Sequence, residues 1–216
     1  MTLLYSGAEA DIYLLALNDD QIILKKRPEK EYRLKQIDIR LRKHRTSHEV
    51  ALLHQAKTLG VRTPIVYFVD KANFAIAMEY VHGTSVKEYL GHLGKREKIA
   101  LCEEMGKMAG NLHDGGIVHG DLTTSNFIAN TEKTLYLIDF GLAYRSDSLE
   151  DHGVDLYLLN RTLSSYHHEF ARQGRESVLQ GYSAERSLQQ TKKITAKMQE
   201  IERRGRYFQQ HSLSGK

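Results

Sequence analysis

The chain has 216 residues, 41% of them apolar, a formal charge of +4 and a calculated pI near 9.0. That length can bury a sizeable core in one domain or two small lobes, while a lone cysteine, Cys102, excludes a disulfide framework or a Cys-built zinc site. Charges interrupt every apolar run before it reaches the ~18 residues of a membrane helix, and mild basicity allows a nucleic-acid partner without requiring one. The opening M-T-L-L-Y-S-G-A-E-A-D lacks a basic region before a long apolar core, so no signal peptide and no membrane partner are expected. A reducing, cytoplasmic setting fits, with nuclear residence added if the source is eukaryotic.

In chain order, D-I-Y-L-L-A-L and Q-I-I-L-K-K flank the turn-prone Asn18-Asp19-Asp20 and predict a hairpin. Beyond Pro28, the apolar residues Leu34, Ile37 and Leu41 have helical spacing, resumed by Val50 and Leu53 until Gly60. Two more strands, I-V-Y-F-V and F-A-I-A-M-E-Y, surround the turn Lys71 to Asn73. Next, Leu101, Met105, Met108 and Leu112 share one helical face that Gly115-Gly116 ends. The short strands N-F-I-A and L-Y-L-I-D follow, then helices over 153–165 and from Ala184 to about Arg204, the second with Leu188, Ile194, Met198 and Ile201 spaced for burial. The last residues, Q-Q-H-S-L-S-G-K, read as a frayed tail. The expected class is α+β: a small β-rich lobe with one key helix over residues 1–81 and a reduced helical lobe over residues 82–216, ending in a short basic tail.

The chemistry is concentrated in two stretches. I-V-H-G-D-L-T-T-S-N, residues 117–126, has an aspartate followed five residues later by an asparagine, and L-Y-L-I ends in D-F-G. Phosphoryl transfer from ATP needs phosphates held in line, metal on their oxygens and a carboxylate to orient the attacking hydroxyl. Asp121 is placed to be that carboxylate, Asn126 to return a side-chain carbonyl to a second metal, and Asp139 to be the principal Mg²⁺ ligand. Singly, each of these residues is more often part of an ordinary turn or loop. Their order, behind the right strand and helix signals, gives them weight.

In the first lobe, Lys25 ends a strand and could neutralise nucleotide phosphates if Glu49, on the following helix, holds it in place. Thr46-x-x-Glu49 also matches a capping box in which Glu49 merely satisfies a backbone N–H. The downstream set favours the ion pair. Lys26 competes with Lys25, and strand alternation lets only one face the cleft. Gly7, Ala8, Glu9 and Ala10 read equally as a phosphate loop or a hairpin turn; in a phosphate loop, Ile12 would roof the adenine. One glycine there limits backbone approach to phosphate. Met78, Glu79 and Val81 belong to a candidate hinge that would hydrogen-bond adenine. Two basic stretches, R-L-R-K-H-R at 40–45 and R-R-G-R with Arg203, Arg204 and Arg206, could meet RNA phosphates, although runs of this size are more often solvated faces. His44 and His48 share a helical face but lack a third ligand, which argues against a metal there.

Together S-G-A-E-A, K-K-R-P-E-K-E-Y-R, R-T-S-H-E, H-G-D-L-T-T-S-N, I-D-F-G-L-A, E-D-H-G-V-D-L-Y and E-R-R-G-R resemble the small atypical kinase of the KEOPS complex, the p53-related protein kinase family, over essentially the whole chain. The resemblance implies a two-lobed kinase fold, ATP and Mg²⁺, weak Ser/Thr phosphorylation, and ATP hydrolysis beside the threonylcarbamoyl-transferring enzyme and other KEOPS subunits. It also implies a part in threonylcarbamoyl modification of the anticodon-adjacent adenosine in tRNA. Carried over, Lys25 and Glu49 form the ion pair, Asp121 is catalytic, and Asn126 and Asp139 hold metal. Asp155 anchors the catalytic loop from below, with His119 in structural support. Read locally, Asp155 is instead an acid favoured at a helix N-terminus. Leu34-Lys35 departs from the family, where proline often follows Tyr-Arg.

Only 13 residues separate Gly141 from Asp155, with no A-P-E motif, too few for a conventional activation segment. Ordinary kinases carry arginine before the catalytic aspartate, paired with a phosphate on that segment. Here Gly120 stands instead, and a chain without the segment has no phosphate to read. Small-molecule kinases share His-Gly-Asp but add a helical insertion for which this chain has no room. RIO-type kinases share it too, but T-T-S-N and the short segment set this chain apart. A non-catalytic RNA-binding scaffold need not keep Lys25, Glu49, Asp121, Asn126 and Asp139 together.

Overall fold

β-branched and aromatic residues between turn signals build the first half of the chain into a curved antiparallel sheet. A computed structural model describes residues 1–17 and 20–213, with side chains left out at 17, 188 and 205–213. Strands β1 (Thr2–Ser6), β2 (Asp11–Leu17) and β3 (Asp20–Lys26) run as consecutive hairpins, and β4 (Val66–Asp70) and β5 (Ala75–Glu79) complete the order β1-β2-β3-β5-β4. The hairpin expected from residues 11–26 forms, with Leu17 opposite Asp20; Asn18 and Asp19 lie outside the described residues. On β3 the alternation turns Lys25 inward, 5% exposed, and leaves Lys26 outside.

Between β3 and β4 runs α1 (Lys35–Thr58), stopped at Gly60 in a left-handed conformation, φ +80°. Its first turns correct the apolar-stripe expectation. Leu34 and Ile37 are exposed, at 75% and 44%, and the inward face carries Asp38, Thr46 and Glu49 before Leu52, Leu53 and Ala56. This face is polar because its groups are paired: Glu49 and Thr46 meet Lys25 and Arg27 at and just past the end of β3, and Asp38 pairs with Arg33 and Arg42. An unpaired ion there would be costly, and paired ones are tolerated.

The second half begins with β6 (Gly83–Ser85), the short α2 (Val86–Tyr89) and α3 (Lys95–Asp114). Leu101, Met105, Met108 and Leu112 are all buried on one face of α3, and Gly116 follows at φ +67°. Strands β7 (Ile117–Val118), β8 (Phe127–Asn130), β9 (Leu135–Leu137) and β10 (Tyr144–Arg145) make two small sheets: β8 pairs with β6 and β9, and β10 pairs with β7. Helix α4 (Leu149–Tyr166) starts four residues earlier than its expected bound because the Ser148 hydroxyl accepts from the Asp151 amide.

Two further helices revise the C-terminal expectation. Residues unassigned by periodicity form α5 (Ala171–Glu185), and α6 (Leu188–Leu213) starts after the expected bound and runs into the segment read as a frayed tail. Gly174 and Gly181, which look like helix breakers, lie in α5; Gly181 faces α3 so closely that a Cβ there would collide with the Glu103 carbonyl. One apolar core runs through the molecule, from Leu52 and Leu53 of α1 through Met105 and Leu112 of α3 to Leu156 and Leu159 of α4 and Ile194 of α6. Each such leucine contributes about 1.5–3 kcal/mol relative to exposure. Among the described residues, no helix is long and apolar enough to cross a membrane.

Candidate active site

The β8–β9 hairpin fixes the geometry of the site. Phe127 pairs with Leu137, and one step further out the Ile138 amide donates to the Asn126 carbonyl at 2.9 Å. Asn126 and Asp139 therefore stand side by side at the open end of one hairpin. The Asn126 Nδ2 donates to the Asp121 backbone oxygen at 2.8 Å and to its carboxylate at 2.9 Å. That assignment turns the Asn126 amide oxygen the other way. Asp139 sits at φ +61°, a left-handed conformation that aspartate tolerates better than most residues, and its half-exposed carboxylate accepts from the Gly141 amide at 3.1 Å.

Across the cleft, the Lys25 Nζ lies 2.7 Å from both Glu49 Oε1 and Asp139 Oδ1. Burial works against the Lys25 charge, but Glu49 and Asp139 outweigh it and raise its pKa above the ordinary value. Burial likewise opposes ionisation of Asp139, yet the adjoining Lys25 charge and hydrogen bond hold the carboxyl below its ordinary value. Both groups are charged at neutral pH. Thr46 lies in the middle of α1, so Glu49 is not part of an N-terminal capping box; its carboxylate serves cations instead. Its second oxygen pairs with Arg27, a buried guanidinium that sequence reasoning passed over while weighing Lys25 against Lys26. The signal was present: residues 25 and 27 face the same side of a strand.

Beneath the loop, Asp155 is fully buried and accepts from the His119 amide at 2.6 Å and the Gly120 amide at 2.9 Å. It stands in the second turn of α4, while the first-turn acids are Glu150 and Asp151. His113 Nε2 lies 3.3 Å from Asp155, and its Nδ1 meets the Tyr182 hydroxyl at 3.1 Å. His119 is buried, with Nε2 3.1 Å from the Ile138 carbonyl and its ring edge-on to Phe140 at 4.9 Å. The backbone of H-G-D is thus tied to α4 below and to D-F-G beside it.

Other sequence candidates are less convergent. In the β1–β2 turn, Gly7 donates to the Ala10 carbonyl at 3.0 Å, Ala10 is buried, and Ile12 is half-buried opposite Lys25. Ala8 is exposed, and the Glu9 carboxylate pairs with Arg45 of α1. Met78 is buried on β5, while the Glu79 amide donates to the Ile65 carbonyl at 2.8 Å and its carboxylate accepts from the Ile65 amide, so that amide is already engaged. Val81 follows β5, half-buried. In the basic tail, Arg204 is ion-paired to Glu150 of α4, Arg203 donates to the Gln199 carbonyl, and the Arg206 side chain lies outside the described residues.

After D-F-G the chain turns straight back. Tyr144 and Arg145 pair with Val118 and Ile117, the Ser146 amide donates to the Gly116 carbonyl at 3.0 Å, and Arg145 reaches Gln55 of α1 at 2.7 Å. No stretch of the segment is left to form a separate platform.

The protein kinase domain family matches residues 4–165. A KEOPS complex subunit Bud32 from Pyrococcus abyssi is 45% identical over 96% of both chains. Probable bifunctional tRNA threonylcarbamoyladenosine biosynthesis proteins from Methanothermobacter thermautotrophicus and Methanosarcina barkeri are each 40% identical over 95% of this chain, which spans only 36% and 35% of theirs. With a kinase-domain match over residues 4–165 and 45% identity to a Bud32 subunit over 96% of its length, the chain belongs to the protein kinase family and, within it, to the small atypical kinases of the Bud32 family.

Proposed function

We propose that this chain binds ATP with Mg²⁺ in the cleft and hydrolyses it as a subunit of a KEOPS-type assembly, in support of threonylcarbamoyl modification of the anticodon-adjacent adenosine in tRNA. Ser/Thr phosphorylation, including of itself, is a minor activity of the same site. The observation that carries this reading is the pair Asp121–Asn126 beside the group Asp139–Lys25–Glu49, drawn from both lobes onto one cleft.

Lys25 supplies positive charge to the nucleotide phosphates, and Glu49 keeps it aimed into the cleft. Asp121, its carboxylate oriented by Asn126, positions the attacking water. The water oxygen bonds to the γ-phosphorus as the bond to the β,γ-bridging oxygen breaks, giving ADP and phosphate, with the proton released to Asp121 or solvent. The Asp139 carboxylate and the outward amide oxygen of Asn126 are hard oxygen donors that fit Mg²⁺, an ion that completes its shell with phosphate oxygens and water. When bound, Mg²⁺ would supply charge neutralisation at the phosphates. Water rather than a peptide is the favoured acceptor because the segment after Gly141 is folded onto β7 and α1. Relatives that carry a matching segment inside a longer protein named for tRNA threonylcarbamoyladenosine biosynthesis support a partner enzyme working alongside it.

The deciding experiment measures ATP turnover by wild type and Asp139→Ala, with and without the threonylcarbamoyl-transferring partner and tRNA. Turnover that requires Asp139 and rises with the partner is expected. Equal rates across all these conditions would sink the reading.

A further inference from the structure

β3 and the residue that follows it send two cations to one carboxylate. Glu49 gives Oε1 to Lys25 at 2.7 Å and Oε2 to Arg27, whose side chain is 2% exposed. The other terminal nitrogen of Arg27 lies 3.4 Å from the Thr46 hydroxyl, one helical turn before Glu49 on the same face of α1. The Arg27 backbone is gripped from both sides: its amide donates to the Phe74 carbonyl at 3.1 Å, and Arg42 of α1 donates to its carbonyl at 3.4 Å while stacking on the Phe74 ring at 4.2 Å. Arg27 therefore fastens α1 to the end of the sheet through three side chains of that helix.

Lys25 has a different situation. It divides its charge between Glu49 and Asp139, and the second partner belongs to the other lobe. A lysine that turns toward phosphate loosens its hold on both carboxylates. A buried Glu49 left without a cation would be costly and would tend to follow the lysine or turn away. The guanidinium prevents that, because its charge is permanent and its planar fork can hold Glu49 and Thr46 at once. In kinases with a full activation segment, seating of this helix is what loop phosphorylation controls. This chain has Gly120 in place of the phosphate-reading arginine and a segment folded back onto β7.

We propose that Arg27 is a positioning residue that keeps α1 and Glu49 seated without a phosphorylated loop, so that Lys25 stays aimed at the nucleotide while it changes partners. The inference rests on the reading of the cleft as an ATP site and deepens it by naming what replaces loop phosphorylation as the control.

The test uses the full chain with its partner enzyme and compares wild type, Arg27→Lys, Arg27→Gln, Glu49→Gln and the Arg27→Gln/Glu49→Gln double variant. ATP turnover, thermal melting and hydrogen exchange of the α1 amides are measured on each. Arg27→Gln is expected to lower turnover roughly ten- to a hundredfold and to speed exchange along α1 while the chain remains folded. Arg27→Lys should fall between it and wild type, and the double variant should be no slower than Glu49→Gln alone, because both changes remove one linkage. Additive losses, an Arg27→Gln variant with wild-type turnover and exchange, or loss of the fold in both Arg27 variants would each overturn the inference. A wild type that turns over no ATP strikes instead at the functional reading, and the α1 exchange data still decide whether Arg27 seats the helix.

Discussion

Gly120 holds the H-G-D loop at φ +78°, and a Cβ built on it would collide with the carbonyl oxygen of Leu142. The motif alone suggested that arginine is dispensable at this position because no phosphorylated loop exists to pair with it. The geometry adds a steric reason: the segment after D-F-G passes so close that no side chain fits. An L-residue in this conformation loses about 1–2 kcal/mol, and overpacking adds about 1–3 kcal/mol. Restoring the ordinary kinase residue with Gly120→Arg should therefore lower the unfolding midpoint by several degrees and displace the Leu142 segment, with a matching loss of ATP turnover. A Gly120→Arg protein that melts with wild type would show that the loop has another conformation available. That Asp121, Asn126 and Asp139 come together was legible because their placement depends on spacing along the chain. The inward turn of Arg27 could be read from strand alternation, but its role could not, since its partners Thr46 and Glu49 lie on a different element.

The elements differ in how well they could be read. α3 announces itself through a regular apolar stripe and two terminal glycines, and all four residues the periodicity picks out are buried. α5 hides because helix crossing at close range needs small residues that look like breakers. A Cβ on Gly106 would collide with the Val178 carbonyl, and one on Gly181 with the Glu103 carbonyl, so each glycine makes room for the opposing backbone. Backbone cannot yield as a flexible side chain can. Gly181→Ala should destabilise the chain by about 2–4 kcal/mol, the range of overpacking plus helix displacement, despite alanine's better helix propensity. Chemical denaturation reads the effect directly, and a stabilised Gly181→Ala variant would refute the close crossing. α1 misleads in the opposite way. Leu34 and Ile37 have the spacing of a buried stripe and are exposed, because the inward face of the helix pairs charges instead, Asp38 with Arg33 and Arg42, and Glu49 with Lys25 and Arg27.

At the scale of the whole molecule, three helices meet beneath the catalytic loop. His113 of α3 stacks on His152 of α4 with ring centroids 4.2 Å apart, Asp155 and Tyr182 flank His113, and His152 Nε2 lies 2.9 Å from the Ser146 carbonyl of the segment after D-F-G. Burial is the main cause that lowers both histidine pKa values, with the pair's mutual repulsion and Arg186 adding to it at His152, whose value falls from 6.5 to about 4. A histidine that titrates lower when folded takes up its proton more readily when unfolded. Stability is therefore present in full above pH 6.5 and is lost as pH falls from 6.5 toward 4, by about 3 kcal/mol from His152. His152→Phe should flatten the melting temperature over this interval while His113 keeps part of the slope. An unchanged slope would remove His152 from the network.

By itself the sequence determined the two-lobed α+β class, the place of the H-G-D loop, the D-F-G strand end and the absence of room for an activation segment, all of which are set by local spacing and by the period of apolar residues. Only the tertiary structure decided that Lys25 rather than Lys26 enters the cleft, that Glu49 is shared with Arg27, that Glu9 and Arg204 are already paired with Arg45 and Glu150, and that Gly120 has no space for a side chain. These depend on contacts between elements distant in sequence. A charge or a glycine carries no mark, along the chain, of the partner that folding brings to it.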